Sequence, residues 1–124
     1  MEDKAYKVAT LLCTALKAAC PFRSGNLAST IHVAQDPDGL YVVIGNENID
    51  YAAATNEPWI SPKWNGKKNP NEGWVENTIK KYENNIKAIF QGEMTEEELN
   101  RIIQEQELLY QSKVDARIEA INKA

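Results

Sequence analysis

The sequence predicts an α+β domain made of an N-terminal helix, a small antiparallel β-hairpin, a short helix and two C-terminal helices. Three observations carry this prediction. β-character is confined to one stretch, Ala28 to Ile44, split by the turn-forming run Asp36-Pro37-Asp38-Gly39. Apolar residues on either side of it recur at three- and four-residue steps, the period of a helix face. The 124 residues fit one domain that buries about two-thirds of the surface its unfolded chain would expose. With 26% charged and 43% hydrophobic residues the composition is that of an ordinary globular protein, not of a disordered or collagenous one.

From Asp3 to Cys20 the residues Ala5, Val8, Ala9, Leu12, Ala15, Leu16 and Ala19 form one apolar face, with Asp3 placed to cap the helix and Pro21 to stop it. Cys13 and Cys20 lie seven apart on this helix, roughly 10 Å at about 1.5 Å per residue, too far to form a disulfide. Both read as small core residues. A turn through Pro21, Arg23, Ser24 and Gly25 leads to a strand expected over Ala28–Asp36, with Ile31 and Val33 on one side and Thr30 and His32 on the other; Leu27, Thr30 and Ile31 also fit a helical turn. In the next turn proline presets φ, aspartates bond nearby amides and glycine accepts positive φ. Leu40–Ile44 is an unbroken apolar run, as expected of a strand covered on both faces or lying at a subunit contact. Gly45 and Asn46 end it.

Ile49–Ala54 reads as a short helix and Pro58–Gly73 as a long polar loop carrying Trp59, Trp64, Lys63, Lys67 and Lys68. Asn71–Gln91 is expected to be one helix with the stripe Trp74, Val75, Thr78, Ile79, Tyr82, Ile86, Ile89 and Phe90, closed by Gly92. Thr95-Glu96-Glu97-Glu98 is a capping-box pattern opening a last helix to about Asn122, with Leu99, Ile102, Ile103, Leu109, Tyr110, Val114, Ile118 and Ile121 apolar. Gln106, Lys113 and Arg117 interrupt its seam where strict heptads would be apolar. At roughly 40 Å this helix is longer than the domain is wide. The chain is thus expected to divide into an α+β domain over residues 1–92 and an acidic C-terminal helix over 93–124, packed on that domain or reaching to a neighbouring subunit.

Charge is uneven. Residues 93–124 carry eight acids and four bases, whereas residues 1–92 carry ten of each. A pI near 5.0 argues against binding a phosphate backbone with the whole surface, so nucleic acid is an unlikely partner. The longest apolar run is far short of the roughly 18 residues that span a bilayer, and Met1-Glu2-Asp3 lacks the basic start of a secretory signal; an intracellular, non-membrane protein is expected.

Candidate chemistry is sparse. His32 is the only histidine; it reads as a polar residue on the solvent face of a strand, and the rival reading, a hydrolase using His32 with Asp36 or Asp50, has no nucleophile in the sequence. Asp36, Asp38, Glu47 and Asp50 could be imagined as a cation site, but the EF-hand spacing is not met and turn formation explains the first two. The six glycines are scattered turn formers and build neither phosphate-binding fingerprint, so no cofactor and no small-molecule substrate are expected. The Trp/Lys loop 58–73 leaves one alternative, a small nucleic-acid-binding or regulatory module in which Trp59 and Trp64 stack on bases. The commoner use of exposed tryptophans is a protein contact.

One resemblance rests on the order of these parts. Pro21-x-x-Ser24-Gly25-x-Leu27-x-x-x-Ile31 before the hairpin, then Tyr51-Ala52 and Glu57, is similar to the head-tail joining or tail-completion family of long-tailed bacteriophages, also described as neck or minor capsid proteins. Two features depart from its pattern: Glu57 is followed by Pro58-Trp59 rather than Gly-Thr, and the helix after Thr95 has no counterpart. The resemblance implies a non-enzymatic α+β subunit that assembles with itself into a ring, six-fold in such proteins. That ring would sit in the virion at the head-tail junction or tail terminus, beside head-completion and tail-tube or tail-terminator proteins, after passing through the host cytoplasm during assembly. Leu40, Val42, Ile44, Tyr51, Glu57, Trp59 and Trp64 are the expected subunit or partner contacts.

Overall fold

The computed structural model describes residues 4–21, 26–45, 56, 60–61, 67–69 and 71–123. The fold is α+β and mostly helical: α1 (Lys4–Ala19), α2 (Asn26–Thr30), β1 (His32–Asp36), β2 (Gly39–Val43), β3 (Ile60–Ser61), β4 (Lys67–Lys68), α3 (Trp74–Lys81), α4 (Glu83–Gln91) and α5 (Glu96–Lys123). The short helix expected over Ile49–Ala54 lies outside the described residues.

α1 is the central element, and it carries two stripes rather than one. Val8, Leu11 and Ala15 pack with Tyr82, Ile89, Leu99, Ile102 and Ile103, while Cys13, Leu16 and Cys20 pack with Leu27, Ala28, Ile31 and Trp74. The single face drawn from the sequence is corrected accordingly. Leu11 and Ala18 are buried, Leu12 is only half-buried, and Ala5 and Ala19 are exposed. A helix contacted from two sides buries a wider arc than one amphipathic face, so counting along one stripe misplaces residues at its edges.

Three further boundaries differ from expectation. The strand expected from Ala28 starts only at His32, because Asn26–Thr30 makes a helical turn in which Leu27 and Ile31, four apart, bury the same side against α1. The Thr30 hydroxyl donates to the Leu27 carbonyl at 2.6 Å and the Ile31 amide to that of Ala28 at 3.2 Å. The helix expected over Asn71–Gln91 is two helices meeting at Tyr82 (φ −102°, ψ 10°), whose amide bonds back to Ile79 at 3.1 Å, a tightened 3₁₀-type step, while its ring is buried in the second cluster. Ile79 and Phe90 of the expected stripe are exposed. Within the polar loop, Ile60–Ser61 and Lys67–Lys68 pair antiparallel.

The capping signals at both ends of the α4–α5 connection read correctly. Gly92 closes α4 with φ 73°, and the Glu93 amide returns to the Ala88 carbonyl at 2.8 Å. The Thr95 hydroxyl accepts the Glu98 amide at 3.1 Å and so caps α5.

α5 runs parallel to α1. Lys7 pairs with Glu96 at 2.7 Å near both N-termini, Lys17 stands 5.8 Å from the Tyr110 ring centre, and the Lys113 ammonium donates to the Ala18 carbonyl at the far end. The polar residues that interrupt the seam therefore have a use: Gln106 and Lys113 are half-buried, and Lys113 places its positive charge on the carbonyl end of α1, where the helix dipole favours a cation. Among the described residues no buried side-chain polar atom lacks a hydrogen-bond partner.

Candidate subunit-contact surface

The hairpin is built by Asp36. Its carboxylate accepts the amides of Asp38 and Gly39 at 2.8 and 3.1 Å, which folds the chain back with His32 opposite Val43, Val33 opposite Val42, Ala34 opposite Tyr41 and Gln35 opposite Leu40. Residues directly opposite share a face. Val42 and Ile44 turn inward onto the first core cluster. The outer face therefore carries His32, Ala34, Tyr41 and Val43, with Tyr41 45% exposed.

The backbone direction along β2 follows from two further bonds. The Gly39 amide reaches the Asp36 carboxylate and the Gly45 amide reaches the Thr30 hydroxyl at 2.8 Å, so odd-numbered residues of β2 aim their amides toward β1. Alternation along a strand then turns the N–H and C=O groups of Leu40, Val42 and Ile44 away from β1. Among the described residues β1 is the only strand paired with β2, which makes this an open edge of the kind another strand can extend. Sequence reasoning named the same three residues from apolarity alone; their outward backbone groups follow only from the pairing register.

The remaining expected site residues divide as follows. Leu27 and Ile31 are buried in the first cluster and Pro21, at the end of α1, is half-buried. Leu40 is half-buried. Ser24, Gly25, Tyr51, Ala52, Glu57, Trp59 and Trp64 lie outside the described residues. Next to Glu57, however, Asn56 has a role the sequence did not signal. Its side-chain oxygen accepts the Val75 amide at 2.9 Å, its amide nitrogen donates to Glu76 at 3.1 Å, and its carbonyl accepts the Gly73 amide at 2.8 Å. Gly73, at the N-cap, has no side chain to cap α3, so a residue nearly twenty positions upstream does it. The only available hint was a glycine where a cap is wanted.

Among the described residues no reacting group is assembled around the hairpin. His32 is exposed and its Nδ1–H donates to the Thr30 carbonyl at 2.7 Å. Burial pushes the Cys20 thiol up to about 11, against a weaker opposing pull from Lys113, and raises that of Cys13 against Lys17. Both are therefore neutral thiols near pH 7, the unreactive form. They are free, and Cys20 is buried. Among the described residues no three of His, Cys, Asp and Glu converge as metal ligands, and no helix is long and apolar enough to cross a membrane.

A second exposed surface lies at the far end of α5. Past Lys113, which reaches the end of α1, every residue from Asp115 to Ala120 is exposed, Ile118 at 51%. Leu108 and Leu109 are also exposed higher on the same helix. No family model, no curated protein and no solved structure matches this chain.

Proposed function

We propose that the chain is a non-enzymatic structural subunit of a phage or prophage virion that closes into a ring, six-fold, at the head-tail junction or tail terminus. The observation that carries this reading is the outer edge of β2, where Leu40, Val42 and Ile44 turn their backbone groups away from β1 on an apolar strand and no second strand pairs with them among the described residues. A hairpin has two edges of different composition, so adding the β2 edge of one copy to the β1 edge of the next is a head-to-tail contact, the kind that closes rings when the rotation permits. The order of Pro21, Ser24, Gly25, Leu27, Ile31, Tyr51 and Ala52 supports placing that ring at the neck. Its partners would be further copies of itself, the head-completion protein, and the tail-tube or tail-terminator protein.

Sedimentation velocity with negative-stain imaging over a wide concentration range, alone and with head-completion and tail-tube proteins, tests the reading. Ring-sized particles are expected in at least one condition. A monomer in all of them overturns it. Leu40→Pro removes one outward amide that β1 does not use, and is expected to weaken assembly at least tenfold while leaving the helical circular dichroism intact.

A further inference from the structure

Asp38-Gly39 is the only Asp-Gly pair in the chain, and the fold sets it at the tip of the hairpin, where β1 turns into β2. Asp38 is exposed. Gly39 has no side chain to shield its amide, and a Cβ at that position would meet nothing within 4 Å. A carboxyl group one residue before so open an amide is placed to react with it, because the amide nitrogen and the side-chain Cγ can close a five-membered ring. A bulkier residue after Asp38 would crowd that approach; glycine does not.

We propose that Asp38-Gly39 is a site of spontaneous isoaspartate formation, held in check by the Asp36 carboxylate. In the reaction the Gly39 amide gives up its proton and its nitrogen attacks Cγ of protonated Asp38. An N–Cγ bond forms, a Cγ–O bond breaks, and one water leaves. The resulting succinimide then takes a water back. Attack at Cγ restores aspartate, whereas attack at the main-chain carbonyl carbon breaks its bond to the Gly39 nitrogen and leaves the chain running through Cβ and Cγ. Aspartate and isoaspartate have the same atoms, so no oxidant or other reactant is required.

The restraint comes from the turn itself. The same Gly39 amide donates to the Asp36 carboxylate at 3.1 Å, and the Asp38 amide donates to it at 2.8 Å. Ring closure has to take the Gly39 proton from that carboxylate and rotate the peptide between residues 38 and 39 out of its bonded position. Rotation is resisted from the other side as well, since Gly39 stands opposite Asp36 at the end of the ladder.

The consequence falls on β2. Isoaspartate adds one methylene to the main chain inside a two-residue loop, and loop length fixes the register of a hairpin. Val43 and Tyr41 then lose their alignment with His32 and Ala34, and β2 presents a displaced outer edge. That last step bears on the ring-forming reading above; the modification does not depend on it.

Site-resolved peptide mapping tests the proposal. Wild type, Asp36→Asn and Asp36→Ala are aged near pH 6, where a small share of exposed carboxyls is protonated, both folded and in urea. Isoaspartate at residue 38 is counted against synthetic standards. Asn65-Gly66 reaches the same kind of ring by losing ammonia, but it lies in another tryptic peptide. Folded wild type and Asp36→Asn, whose amide oxygen accepts the same two bonds, are expected to react at least about fivefold more slowly than the unfolded chain, the factor that one ordinary hydrogen bond supplies. Folded Asp36→Ala, checked for unchanged helical circular dichroism, is expected to approach the unfolded rate. Absence of isoaspartate at residue 38 in the unfolded chain overturns the site. Equal rates in folded and unfolded wild type, or a folded Asp36→Ala no faster than wild type, overturn the restraint by Asp36. None of these results touches the ring-forming reading, which sedimentation tests separately.

Discussion

Ile31 offers the most direct test of how the hairpin is fastened to α1. Its side chain is 1% exposed and sits among Leu16, Cys20, Leu27, Ala28 and Trp74. Ile31→Ala removes three carbons, about 2.4 kcal/mol at ~0.8 kcal/mol each, before the cavity is counted. The cavity adds more because α1, α2 and α3 all line it and cannot all close in, so a loss of about 3–5 kcal/mol is expected. Against a total of about 6–18 kcal/mol for a chain of this length, that is a large share. Urea unfolding followed by circular dichroism measures it, with the midpoint falling and the slope unchanged. Ile31→Val should lose about 1 kcal/mol, and Ile118→Ala, at an exposed site, under about 0.5 kcal/mol. A loss below about 1 kcal/mol for Ile31→Ala would refute the packing of the turn against α1.

Two other predictions concern local interactions. Asn56→Ala strips the cap from α3 and is expected to destabilise the protein by about 1–2 kcal/mol in the same assay, which Asn56→Asp should restore only in part, because its carboxylate can still accept the Val75 amide but loses the donation to Glu76 and faces that carboxylate instead. The Cys20 thiol is pushed up from 9.0 to about 11 in the folded protein, so its contribution to stability is fully present below pH 9 and is lost as the pH rises toward 11. Cys20→Ala should flatten that alkaline decline in thermal melts, and thiol labelling of the native wild-type protein at pH 8 should modify Cys13 faster than Cys20.

How much of this was legible in the sequence depends on the range of the interaction responsible. The signals that were read correctly are local. Asp36-Pro37-Asp38-Gly39 makes its turn through bonds within four residues, Thr95 caps the amide three positions on, and Gly92 adopts the positive φ that ends α4. Each is decided by a side chain or a missing one acting on its own neighbourhood, so residue type and spacing suffice.

What the sequence alone misread required knowing what lies across the core. Two neighbours on different sides of α1 divided its apolar residues into two stripes, which no single helical face could indicate. Leu27 and Ile31 became a helical turn because α1 offered one surface for both, and Tyr82 broke a periodic helix in turning its ring into the cluster of Leu11 and Leu99. The same distinction governs the contact surface. The residues of one segment were enough to mark Leu40–Ile44 as an apolar strand and the end of the chain as an acidic helix opening at Thr95. Tertiary structure alone decided that Val42 and Ile44 spend their side chains on the core while their backbone groups face outward, and that α5 lies parallel to α1 with its last turns beyond it. Pairing register and packing direction are relations between distant segments, and neither is stored in the residues of one segment.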